Sequence, residues 1–109
     1  KYAANSKPDG YTIVFTSTSV VINPLLHKDA GYDALRDFEP LLFIGTVDNG
    51  LIAHPSVPFN TTKQLITYAK RNPGKIMYGH NGFATQSFLA MELLAQASNV
   101  KFTSVPYSS

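Results

Sequence analysis

The chain has 109 residues, 44% of them hydrophobic, a formal charge of +2 and no cysteine. That leaves room for one small domain or a piece of a larger one, and it excludes a disulfide framework, a thiolate nucleophile and a cysteine-ligated metal. The basic residues are scattered, with only Lys70 and Arg71 adjacent, which gives no nucleic-acid or membrane-surface footprint, and no apolar run approaches the ~18 residues of a membrane span.

Lys1 to Ser6 is polar and does not read as a signal peptide. Lys7-Pro8-Asp9-Gly10 is a turn, with Pro presetting φ and Gly supplying a positive one. Tyr11 to Thr16, rich in β-branched and aromatic residues, predicts a strand. It runs into the hydroxyls of Ser17, Thr18 and Ser19. In open α/β sheets ligands sit at that end of a strand, although such hydroxyls also cap helices. Val20 to Leu26 is apolar but interrupted by Asn23-Pro24, which predicts short helical pieces. Asp33 to Phe38 predicts one helical turn capped by Asp33 and ended by Pro40.

Leu41 to Ile44 is continuously apolar and predicts a strand buried on both faces. Gly45 to Gly50 (GTVDNG) breaks it, and Leu51-Ile52-Ala53 resumes extended structure. The pair fits a hairpin, or a strand crossing between two domains. After the proline-stiffened His54 to Pro58, Thr61 and Gln64 form a capping box that opens a helix with Leu65, Ile66 and Ala69 inward. Lys70 and Arg71 complement its dipole, and Asn72-Pro73-Gly74 stops it. Asn60-Thr61-Thr62 also matches a glycosylation sequon and reads here as capping.

The centre of the functional reading is Lys75 to Ala97. Ile76 to Tyr78 predicts a buried strand, Gly79-His80-Asn81-Gly82 a turn, and Thr85 the start of a helix. Unpaired N–H groups at such a helix start point into the turn, and the helix dipole places about half a positive charge there. A carboxylate or phosphate suits that position, although an ordinary strand-to-helix connection has the same pattern. The helix is apolar at Phe88, Leu89, Met91, Leu93 and Leu94, with Glu92 and Gln96 its polar stripe, and predicts burial on most sides. Lys101 to Val105 is the closing strand. Strands alternating with helices predict an α/β fold with parallel βαβ units.

No dinucleotide fingerprint or P-loop is present, and His27, His54 and His80 lack metal-ligand spacing. There is no G-x-S-x-G nucleophile elbow. No metal, cofactor or catalytic residue is assigned. His80 stands out by its place inside the turn.

Lys7-Pro8-Asp9-Gly10-Tyr11-Thr12, Ile22 to Leu26 and Asp37-Phe38-Glu39-Pro40 form one set of blocks. Lys63 to Ile66, Asn72 to Lys75, Tyr78-Gly79 and Val105-Pro106-Tyr107 form a second. In order and spacing they resemble the extracytoplasmic solute-binding proteins of tripartite tricarboxylate transporters, the Bug (Bordetella uptake gene) or TctC-like family. Members are about three times this length, a scale at which two domains are expected. They are two-lobe, periplasmic-binding-protein-like flytraps. The resemblance implies an internal fragment: residues 1–46 from lobe one, a hinge or crossover at 47–50, and the start of lobe two at 51–109. It implies a periplasmic, non-enzymatic protein that takes a small organic carboxylate, a di- or tricarboxylate or similar, and delivers it to membrane transporter subunits.

The family holds its ligand through backbone N–H groups and small hydroxyls at strand-to-helix turns. Carried over, these correspond to Ser17, Thr18 and Ser19, and to Gly79, His80, Asn81, Gly82 and Thr85. The chain departs from the family pattern at His80, at Phe83-Ala84, at Phe88 and at Ser108-Ser109 after Tyr107. Two other functions fit the residues. One is an α/β enzyme acting on an anionic substrate with His80 as acid or base. The other is a structural fragment that self-associates to cover its apolar helix.

Overall fold

The computed structural model describes residues 1–107; Ser108 and Ser109, the end of the expected lobe-two segment and of its departure from the family pattern, lie outside the described residues. The chain divides into two compact units, Lys1–Val47 and Asp48–Ser109.

In the first unit, Ala3–Asn5 makes a 3-10 turn and α1 spans Ser19–Leu26. The expected short pieces are one helix, with Pro24 inside it. Proline cannot donate to the carbonyl four residues back, which here is Val20. The Tyr32 hydroxyl donates to that oxygen at 3.0 Å instead. Asp33 caps a single turn as expected, its carboxylate accepting from the amides of Leu35 and Arg36 at 2.9 and 3.2 Å. Two expected strands are absent. Tyr11 to Thr16 and Leu41 to Ile44 have no ladder partner among the described residues, and their large side chains are exposed. Propensity for extended backbone is not enough for a strand without a neighbour to pair with.

The second unit carries the core. α2 spans Thr62–Arg71, and its cap Thr61 accepts the Gln64 amide at 3.2 Å. The Gln64 side chain reaches back to the amide of Asn60 at 2.8 Å, one residue before the usual capping-box partner. Leu65 and Ala69 are buried, one turn apart on the inward face. β1 is Met77–His80 and β2 is Thr103–Pro106, paired in parallel with Met77 opposite Thr103 and His80 opposite Pro106. The expected turn residues Gly79 and His80 are therefore the end of a strand, because Val105 and Pro106 continue the ladder beside them.

Between the strands runs α3, Gln86–Ser98, completing a βαβ unit. It ends at Asn99, in the left-handed conformation at φ 52°, with the Val100 amide returning to the Ala95 carbonyl at 3.0 Å. That is a Schellman closure, and asparagine tolerates it better than most residues. Leu65, Ala69, Tyr78 and Phe102 form the core, joined by Phe88, Met91 and Leu94 from α3. No α3 residue is fully buried, and Leu89 and Leu93 are exposed, so the expected burial on most sides is not met among the described residues.

Candidate functional site

The alternation along β1 faces Tyr78 and His80 inward and Met77 and Gly79 outward. His80 is only 4% exposed. Its Nδ1 accepts the Gly82 amide at 3.2 Å, which puts the ring proton on Nε2. Nε2 is sealed from solvent and has no partner among the described residues. The ring lies 5.0 Å from Phe83, 4.9 Å from Phe88 and 5.7 Å from Tyr78, centroid to centroid. An aromatic box thus encloses a histidine with one nitrogen engaged and the other enclosed. This is not the solvent-facing ring that acid–base catalysis in the turn calls for.

Glycine is required at two points. Gly82 has φ +122°, a conformation side chains rarely adopt. At Gly79, an added Cβ would stand 3.0 Å from the Tyr107 ring, which lies against the backbone there.

Thr85 caps α3 in both directions. Its hydroxyl donates to the Gly82 carbonyl and accepts the Phe88 amide at 3.5 Å. The Ser87 hydroxyl donates to the Asn81 side-chain oxygen at 2.9 Å. Both hydroxyl protons are therefore committed to holding the turn. The free donors are in the main chain. From Phe83 through Ser87, no amide has an acceptor among the described residues, and the first helix-internal closure is Leu89 to the Thr85 carbonyl at 3.1 Å. The motif read from the sequence brought Gly79, His80, Asn81, Gly82 and Thr85 together as a frame. It passed over Phe83, Ala84, Gln86 and Ser87, whose amides follow directly from locating the cap at Thr85.

In the first unit, Ser17, Thr18 and Ser19 start α1. The hydroxyls of Ser17 and Ser19 lie 3.2 Å apart, and Thr18 stands at the N-cap with no side-chain capping bond. Two concavities of about 790 and 280 Å³ occur elsewhere, one between Lys1 and Thr12 and one beside Lys70 and Lys101. Neither is lined by these turns.

Electrostatically the α3 turn is simple. Residues 76–100 contain no Lys or Arg, and their one carboxylate, Glu92, accepts the Tyr78 hydroxyl at 2.9 Å. Burial first, then the Glu92 hydrogen bond and charge, push the Tyr78 phenol up to about 12 from its ordinary 10.0, with Ser104 opposing. This bond ties α3 to β1 and leaves the amides as the turn's positive end.

A family model described as the tripartite tricarboxylate transporter family receptor matches residues 1–109. The chain is 34% identical over 104 residues to a UPF0065 protein from a tcbD-tcbE intergenic region of Pseudomonas sp. (strain P51), covering 95% of this chain and 31% of that protein. It is also 34% identical over 105 residues to a UPF0065 protein of Bordetella pertussis, covering 95% of this chain and 32% of that protein. The chain thus spans about a third of the length of these relatives. The solved structure of R. palustris Rpa4515 with adipate matches with a TM-score of 0.85 and 32% identity, over 99% of this chain and 36% of that one. The fold is that of an α/β segment of a two-lobe, periplasmic-binding-protein-like architecture.

Proposed function

The chain belongs to the tripartite tricarboxylate transporter receptor family, and from that premise we propose that it is a segment of a non-enzymatic, extracytoplasmic solute-binding protein. It holds a small organic carboxylate by main-chain donors and serves membrane transporter subunits. The observation that carries this reading is the run of amides from Phe83 to Ser87 without acceptors among the described residues, at the start of α3. Aligned N–H groups and a helix dipole favour an anion without any formal cation. Ser17, Thr18 and Ser19 offer hydroxyls of the first unit for the same ligand class. Adipate, present with Rpa4515, is a carboxylate and makes that class the first to test.

The experiment is thermal denaturation of the full-length protein against a panel of organic acids. A ligand at 100 times its Kd stabilises a protein by about 2.7 kcal/mol, which is a readily measured rise in Tm. No rise with any carboxylate in the millimolar range refutes the proposal.

A further inference from the structure

We infer that Asn81-Gly82 is a site of self-modification. The Gly82 main-chain nitrogen closes on the Asn81 side-chain carbonyl carbon, ammonia leaves, and water opens the resulting succinimide to aspartate or isoaspartate. His80 and Ser87 assist the closure. The inference goes beyond the solute-binding reading and does not depend on it.

The chain has two Asn-Gly pairs, Asn49-Gly50 and Asn81-Gly82. In both, glycine leaves the attacking nitrogen without a neighbouring side chain to block it, and asparagine is among the thermolabile residues. Asn49-Gly50 has only that. Both of its residues are exposed, and neither makes a hydrogen bond among the described residues.

At Asn81-Gly82 the fold adds an acceptor and a donor where the closure needs them. The Gly82 N–H donates to His80 Nδ1 at 3.2 Å. The Ser87 hydroxyl donates to Asn81 Oδ1 at 2.9 Å. As the Gly82 nitrogen bonds to Asn81 Cγ, its proton passes to His80 Nδ1 and the carbonyl electrons move onto Oδ1. The Ser87 hydroxyl stabilises that oxyanion, as positioned donors do in acyl transfer. The electron pair then returns and the bond from Cγ to Nδ2 breaks. The proton goes back from His80 to the departing nitrogen, which leaves as ammonia. Water adds across one imide C–N bond to give aspartate, or across the other to give isoaspartate. Asn81 is exposed, which gives that water access. His80 needs no solvent for its part, because both ends of the proton transfer lie in the turn.

The product carries a carboxylate at the head of α3, in a stretch, 76–100, whose one carboxylate is Glu92. The Asn81 side chain already reaches Ser87 in the first helical turn, and the dipole favours negative charge there. The fold therefore favours the product.

The test is to incubate full-length protein at neutral pH and follow it by tryptic digestion and tandem mass spectrometry. Cleavage at Lys75 and Lys101 isolates Asn81, and cleavage at Arg36 and Lys63 isolates Asn49. Asn81 is expected to convert faster than Asn49 in the folded protein and to lose that lead in urea, where the turn is no longer held. Ser87→Ala should slow conversion at Asn81 about fivefold, the worth of one hydrogen bond, and leave Asn49 unchanged. His80→Phe keeps an aromatic ring without the acceptor and should slow it as well; should that variant fail to fold, Ser87→Ala decides. Asn81 converting no faster than Asn49 in the folded protein, a lead that persists in urea, or conversion unchanged or faster in folded Ser87→Ala overturns the inference.

Discussion

Thr85→Ala perturbs the turn at the point where its frame and its donors meet. The hydroxyl both accepts from the Phe88 amide and donates to the Gly82 carbonyl. Loss of a threonine cap costs about 0.5–2 kcal/mol. Gly82 is only half-buried, so the second bond is taken at the low end for a hydrogen bond, adding roughly 0.5 kcal/mol. The expected loss is therefore about 1–2 kcal/mol. Thr61→Ala, which removes the single bond to Gln64 at 3.2 Å, is expected to cost ~1 kcal/mol. Thr85→Ser keeps the oxygen and should restore most of the stability. Urea denaturation followed by circular dichroism measures all three, and carboxylate affinity should fall with Thr85→Ala as Gly82 loses its tether. If Thr85→Ala matches the unmodified protein within ~0.3 kcal/mol, or Thr85→Ser is as unstable as Ala, the two-way cap is not holding the turn.

The Tyr78 phenol has a raised folded pKa, so the stability it contributes is fully present below its ordinary value of 10.0 and is lost as pH rises toward about 12. Ultraviolet titration should show a late ionisation that is absent in Tyr78→Phe and that Glu92→Gln brings down. In the first unit, Tyr32→Phe strands the Val20 carbonyl and is expected to cost ~1 kcal/mol. In a Pro24→Ala background the new amide can take that carbonyl, so a double-mutant cycle should show the Tyr32 cost shrinking. Equal costs in both backgrounds would mean that the hydroxyl is not replacing the missing helix bond.

What the sequence made legible was local. The caps at Thr61 and Thr85, the Asp33 turn and the stop at Asn72-Pro73-Gly74 each depend on residues within a few positions. The uninterrupted α1 was not legible, because the group that rescues Pro24 comes from Tyr32, well outside the helix. Tyr11 to Thr16 and Leu41 to Ile44 have the composition of strands, but pairing is a non-local property that composition does not carry. Gly79 and His80 read as a turn but are the end of β1, because their ladder partners Val105 and Pro106 lie far off in sequence. The enclosure of His80 by Phe83 and Phe88 needed the structure.

On the reading proposed above, a turn that takes an acid without a formal cation has consequences for capture as well as for holding. Dipolar fields fade far faster with distance than that of a fixed charge, so residues 76–100 supply little guidance to an approaching solute. Residues 76–100 therefore add little salt dependence of their own to the rate of encounter. Discrimination by such a turn would come after contact, through how long each solute stays.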